Sequence, residues 1–261
     1  MRAKCLVLLA VAFGFQPAAL RADVISDSSI TAQLQILPSA GSVEFLPGFL
    51  ASVFAQAQDS LGGSDQQFNS VPDGATSASA MTSLANASGT ALFPELNASS
   101  ASGVDIPNIT AFASSAANGG PFGSLFGQFE ITGTPGPVSV QLMALLNYSQ
   151  LVLTSGGGVS ASSEVIFNLL LPDVSDSPIL FLDNPLSIGP NAFQSAAATP
   201  TLSNSMTLQP GTPYTLILGT DAESSGVSTV PEPSTAPLLS TVLLLCALLA
   251  GRKWLRRRKH A

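Results

Sequence analysis

The stretch from Asp23 to Val230 contains no lysine, arginine, histidine, cysteine or tryptophan. We call these residues the body. Zinc sites need cysteine or histidine, nucleophilic triads need a histidine base, and phosphate clamps need arginine or lysine, so the body can assemble none of them. Affinity for phosphate backbones also comes from basic side chains. We therefore expect no enzyme and no nucleic-acid partner.

Charge is strongly segregated along the chain. All nine basic residues lie in the two terminal segments, whereas fifteen of the sixteen acidic residues lie in the body. Self-repulsion is expected to keep such a body dispersed at low salt. Calcium bridging between carboxylates is one route to association, and pairing through an apolar edge such as Val138–Leu146 is another. Because the body cannot form disulfides, its stability must come from burial.

Residues 1–22 have the composition of a secretory signal peptide. Arg2 and Lys4 give a basic start, and the apolar run Cys5–Phe15 is too short to span a bilayer core of about 30 Å. We place the cleavage after Ala22, where a small residue precedes the cut. The alternative is an uncleaved membrane anchor.

A three-part pattern occupies residues 230–261. It begins with the motif Val230-Pro231-Glu232-Pro233-Ser234-Thr235 and continues as the apolar run Ala236–Gly251. A basic cluster follows, formed by Arg252, Lys253, Arg256, Arg257, Arg258 and Lys259. At about 1.5 Å per residue, the apolar run gives roughly 24 Å of helix, slightly short of the bilayer core. Because basic residues beside a short span stay in the cytoplasm, the body is expected outside the inner membrane.

This tail resembles the PEP-CTERM sorting region of Gram-negative bacteria. The resemblance covers about 32 of the 261 residues. It implies that a membrane-embedded cysteine protease, exosortase, recognises the motif and removes the transmembrane helix. It also implies a transient inner-membrane intermediate, a final place at the cell surface or outside the cell, and an association with exopolysaccharide and biofilm.

The motif has a conformation that suits a protease substrate. Pro231 and Pro233 hold φ near about −65° and bias the preceding residues to extended conformations, so the segment cannot continue the membrane helix outward. Glu232 is then the only charged contact in the motif. The alternative is a proline-rich linker before a permanent anchor, which would make the chain a membrane-anchored periplasmic protein.

Alternation of apolar and polar residues predicts strands in much of the body. The pattern is clear at Ser29–Leu37 and in six later segments, which glycines and prolines separate. The later segments are Leu125–Thr132, Val138–Asn147, Gln150–Thr154, Val159–Leu171, Ile179–Leu182 and Tyr214–Gly219. Short connections favour antiparallel pairing, so we predict an all-β antiparallel sandwich of the jelly-roll or immunoglobulin-like kind.

Two segments depart from this pattern. A short helix is predicted behind Pro47, because several apolar residues there have helical spacing. They are Leu50, Val53, Phe54, Ala57 and Leu61. Residues 59–124 are rich in Ser, Ala, Gly and Asn without a fixed repeat, which favours long loops, thin strands or partial disorder.

Carboxylates are the only ionisable side chains of the body apart from tyrosines. Asp173, Asp176 and Asp183 fall in one loop region, and carboxylate oxygens are the ligands that Ca²⁺ prefers, although no spaced Asp loop with its glycine is present. We expect no cofactor, with calcium at these residues as the alternative. The one enzymatic alternative is a glycosidase, with a carboxylate pair drawn from Glu130, Glu164 and Asp183.

The function that these observations favour is an exported structural protein of the surface or extracellular matrix. The main alternative is a non-catalytic carbohydrate-binding or adhesion module. Sugar platforms need exposed aromatic faces, and Tyr148 and Tyr214 are the only polar aromatic residues of the body.

Overall fold

The computed structural model describes residues 23–107, 109–119 and 123–229. They form fifteen strands, β1 (Asp23–Pro38), β2 (Ser42–Phe45), β3 (Leu50–Asp59), β4 (Ser64–Pro72), β5 (Ala75–Met81), β6 (Ala85–Leu92), β7 (Asn97–Pro107), β8 (Ala111–Asn118), β9 (Leu125–Thr132), β10 (Val138–Ser155), β11 (Val159–Leu170), β12 (Leu180–Ile188), β13 (Phe193–Ala198), β14 (Thr201–Leu208) and β15 (Tyr214–Ser228). In these ranges no helix is long and apolar enough to cross a membrane. The predicted signal peptide, sorting motif, transmembrane helix and basic cluster lie outside the described residues.

The strands form two antiparallel sheets. The first has the order β13-β10-β1-β7-β6-β5, with β14 also paired to β10. The second has the order β12-β11-β15-β8-β3-β9-β2, with β4 paired to β3. Every pairing is antiparallel, so the prediction of an all-β antiparallel body is confirmed.

The two sheets pack face to face, as in a β-sandwich. Strand β1 contacts β11 and β15, β7 contacts β15 and β8, and β6 contacts β3. Alternate residues of each strand point into a single core that extends from Val24 to Ala222. Because all the strands and this core lie within residues 23–229, that stretch has what it needs to fold by itself.

Small residues and buried hydroxyls fill much of the space between the sheets. Ser28 and Ser102 of the first sheet lie 2.7 Å apart, and Ser224 of the second lies 3.2 Å and 3.0 Å from them (Oγ to Oγ). Larger side chains gather elsewhere, where the Phe49 ring packs directly on Gly127. Each of these three buried hydroxyls therefore has a hydrogen-bond partner across or within the sheets, as buried polar groups require.

The prediction of a helix after Pro47 is wrong, because residues 50–59 form strand β3. Ala51, Val53, Ala55 and Ala57 are all buried against the first sheet, a period of two that places four apolar residues on one face. The helical reading gave weight to Leu50 and Phe54, which lie on the opposite face. The alanines at every second position were the residues that indicated a strand.

In residues 59–124 the strand alternative is confirmed. The segment contains β4 to β8, and β5 to β8 bury alanine at alternate positions, for instance Ala78, Ala87 and Ala117. These side chains lie in the core although their hydropathy is weak. Disorder is therefore wrong for the described part of this segment.

The later strands are found at the predicted places with changed bounds. The segments Val138–Asn147 and Gln150–Thr154 belong to one long strand, β10. Asn184 and Pro185 lie inside the edge strand β12, where proline is tolerated because one side makes no sheet pairing. Strand β15 continues to Ser228, and β13 and β14 were not predicted.

Side chains of β4 cover the edge of the first sheet at β5. Oε1 of Gln67 accepts from Ser79 N at 2.7 Å, Oδ2 of Asp65 accepts from Met81 N at 2.9 Å, and Nδ2 of Asn69 donates to the Ser77 carbonyl at 2.5 Å. These β4 residues are two positions apart, so they all point to the same side. Three backbone groups of β5 are thus satisfied without a further strand.

Candidate acidic groove

A groove of about 420 Å³ crosses the outer face of the second sheet. We call it the outer groove. Residues of five neighbouring strands line it, and they include Gln56, Gln58, Ser162, Glu164, Glu223 and Ser225. The groove is polar because alternation along β11 and β15 turns the apolar residues inward and leaves hydroxyls, amides and carboxylates outside.

Carboxylates meet in and beside this groove without a basic partner, since Glu164 and Glu223 line it and Asp183 and Asp221 lie next to it. Glu164 of β11 lies directly opposite Glu223 of β15 in the strand register. Asp183 of β12 and Asp221 of β15 are both opposite Ile166, one on either side of β11. Like charges on adjacent strands destabilise a sheet. Such a conflict with local stability is often found at functional positions, which makes the groove the best candidate site.

Asp221 is the most perturbed of these groups. Burial first, and then the charges of Glu223 and Glu164, raise its pKa to about 7, although a hydrogen bond from the Ala222 backbone opposes them. Its Oδ1 is buried and has no hydrogen-bond partner among the described residues. The carboxyl group is therefore only partly ionised at neutral pH, where an ordinary aspartate is fully charged.

The pKa of Glu164 is also raised, first by burial and then by the charges of Asp183 and Glu223, and a hydrogen bond with Asp183 adds to the effect. The two carboxyl groups of a glycosidase stand about 5 Å or more apart to accommodate substrate or water. Glu164 and Asp183 instead contact each other. Glu130, the third predicted candidate, lies opposite Glu44 in the β2–β9 pair and is not brought to them.

The three calcium candidates are not brought together. Asp173 follows β11, and its Oδ2 accepts from Thr215 N at 2.5 Å, which ties the loop to the start of β15. Asp176 is exposed in the same loop, while Asp183 lies on strand β12 rather than in a loop. Within the described ranges, no group of three or more His, Cys, Asp or Glu residues is placed to hold a metal ion.

Neither tyrosine offers an exposed aromatic face. Tyr214 is buried beside Phe129, with ring centroids 6.0 Å apart, and its hydroxyl accepts from Gln209 N at 2.8 Å. Tyr148 is half-buried and packs on the core. Any sugar contact at the outer groove would thus rest on hydrogen bonds rather than on ring stacking.

One buried carboxylate was not singled out from the sequence. Asp59 ends β3, and its Oδ1 accepts from Leu61 N and Gly63 N at 2.9 and 3.0 Å, while Oδ2 accepts from Ser83 Oγ at 2.8 Å. These hydrogen bonds, that from Ser83 foremost, lower its pKa to about 2. The residue organises a turn, and the Asp-Ser-Leu-Gly-Gly sequence there was the available signal.

Comparisons with known proteins identified no relative of this chain. No family model matches the chain, and neither a curated protein nor a solved structure is significantly similar to it.

Proposed function

We propose that this protein is an exported structural component of the cell surface or extracellular matrix, sorted by an exosortase through residues 230–261. The tail pattern carries the proposal, and the body supports it with a disulfide-free fold that stands on its own core. In this role the body occupies a matrix of exopolysaccharide rather than acting on a substrate. The sandwich would belong to the jelly-roll or immunoglobulin-like kind.

The end of the described fold lies directly beside the motif in sequence. Strand β15 ends at Ser228, and Thr229 is fastened to Gly158, since both its N–H and its Oγ1 donate to the Gly158 carbonyl at 3.0 and 2.6 Å. Only Val230 separates this anchored residue from Pro231. A protease that cuts within the motif would therefore release the folded body with only a few residues of the motif attached.

The test replaces the two prolines of the motif. Pro231→Ala with Pro233→Ala should prevent processing and leave the chain in the membrane fraction, because the segment could then continue the helix outward. The matched control is Pro172→Ala with Pro178→Ala, two exposed prolines of the loop after β11. If the motif variant is processed and released like the control, the sorting proposal fails.

Sugar binding without catalysis is the second candidate, and the polar lining of the outer groove favours it. Amides at Gln56 and Gln58 and hydroxyls at Ser162 and Ser225 offer both donors and acceptors on one face. Such groups fix the orientation of a polar ligand. Under this alternative the body would recognise the host polysaccharide at one defined surface.

A pull-down on the host polysaccharide separates the two candidates. Saturable binding of residues 23–230 that oligosaccharides compete away, and that Gln56→Ala with Gln58→Ala weakens, supports the module. Gln33→Ala with Gln141→Ala makes the same change on exposed residues of the other sheet and serves as control. Binding that does not saturate, or that both variants leave unchanged, argues against a site in the groove.

A further inference from the structure

The outermost strand of the first sheet is longer than its two segments suggest. Both β13 and β14 pair with β10 in one unbroken register, in which Tyr148 is opposite Ala198 and Val138 is opposite Leu208. The Thr199-Pro200 link between them keeps this register, because Leu146 N donates to the Pro200 carbonyl at 3.0 Å. Residues 193–208 therefore form a continuous edge, which we call the long edge.

Half of the backbone groups of the long edge point away from the sheet. The carbonyls of Ala192 and Pro200 accept from β10, so the even-numbered residues face β10 and the odd-numbered ones face outward. None of the eight outward residues, Phe193, Ser195, Ala197, Thr199, Thr201, Ser203, Ser205 and Thr207, is a proline. Among the described residues, no strand pairs with them on that side.

Three other sheet edges carry protection that the long edge lacks. Side chains of β4 cover β5, β12 contains Asp183 and Pro185, and β2 has only four residues. Charges, prolines and short length are the usual devices that prevent edges from pairing. The one proline of the long edge, Pro200, has its nitrogen on the β10 side and leaves the outward side open.

Charge identifies the partner that fits this edge. The body carries fifteen acidic residues and no basic one, so two copies repel over most orientations. The long edge and β10 beside it contain no charged residue, which gives an uncharged strip two strands wide. A second copy that approaches through its own long edge brings neutral surface to neutral surface and keeps the acidic regions apart.

We infer that the long edge pairs with the long edge of a second copy, as an antiparallel dimer in which the two first sheets become one. A two-fold axis near Pro200 gives the greatest overlap and sets Thr199 of one copy opposite Thr201 of the other. All eight outward residues of each copy then find backbone partners. The edge is not the apolar segment Val138–Leu146 expected from the sequence, because β10 is paired on both sides.

Sedimentation equilibrium of residues 23–230, from about 1 µM to about 1 mM, tests the dimer. Ser203→Glu with Ser205→Glu places charges on the edge and should raise the dissociation constant at least about tenfold. Asn86→Glu with Ser88→Glu adds the same charge to exposed residues on the far side of the same sheet and should leave it unchanged. A monomer throughout, or equal effects of both variants, overturns the inference.

A covalent readout keeps the test decisive if the edge variant folds poorly. Because residues 23–230 contain no cysteine, Thr199→Cys with Thr201→Cys introduces the only thiols. Mild oxidation should yield a dimer in which residue 199 of one copy is bonded to residue 201 of the other. Absence of this link at concentrations where the wild type is dimeric contradicts the proposed register, and absence of any dimer contradicts the interface.

Discussion

Replacing Asp221 by asparagine should stabilise the body at alkaline pH and leave it almost unchanged at acidic pH. In the folded protein, burial and the carboxylates beside it raise the pKa of Asp221 from its ordinary 3.8 to about 7. A carboxyl group with a raised pKa stabilises the fold below its ordinary pKa, and this contribution is lost as the pH rises through the folded value. At about 1.36 kcal/mol per pH unit, the ionised group costs about 4 kcal/mol by pH 8.

Partial exposure reduces this figure, so we expect Asp221→Asn to raise the free energy of unfolding by about 2–4 kcal/mol at pH 8 and by less than about 1 kcal/mol at pH 4. Urea unfolding of residues 23–230, followed by far-UV circular dichroism, measures both values. Asp176→Asn, in an exposed loop, should change neither by more than about 0.5 kcal/mol. An equal effect of Asp221→Asn at both pH values would refute the reasoning.

Three further predictions concern packing, a turn and an edge. Gly127→Ala would place a Cβ against the Phe49 ring and should lower the free energy of unfolding, measured by thermal unfolding, by about 3 kcal/mol or more. Gly136→Ala, which adds a Cβ in open space, should leave it nearly unchanged. Asp59→Asn should lower the unfolding midpoint at pH 7. The difference from the wild type should shrink between pH 4 and pH 2, because a carboxylate with a lowered pKa loses its stabilising effect as it becomes protonated. A difference that stays constant over this range would contradict the prediction. Gln67→Ala with Asn69→Ala should free the β5 edge and increase light scattering at neutral pH, and unchanged scattering would show that these amides do not protect it.

The strand pattern of the second half could be predicted because its inward residues are large. In β11, Val165, Phe167 and Leu169 are large apolar residues at every second position, and together with the polar Glu164 and Asn168 between them they indicate a period of two. In β5 to β8 the inward residues are mostly alanine and serine, whose hydropathy differs little from that of the outward ones. Burial there depends on the close approach of two sheets, which local sequence does not reveal.

The outer groove could be predicted only in part. Glu164 and Asp183 were singled out as carboxylates, yet Asp221 and Glu223 lie in a polar stretch that gave no strand signal beyond Gly219. Their meeting depends on the pairing of β15 with β11, across about 60 residues of chain. Only in the structure, where β15 continues to Ser228, does the period of two place Asp221, Glu223 and Ser225 on a common face.

We propose that residues 1–22 direct export and that the tail holds the exported protein in the inner membrane until it is removed. The most direct measurement is the intact mass of the protein in membranes and in the released fraction, in host cells with and without an exosortase. The account predicts a released form that begins at Asp23 and lacks both Ala236–Gly251 and the basic cluster, together with its absence when the exosortase is missing. A single membrane-bound species that retains Arg252 to Lys259 in both strains would contradict it.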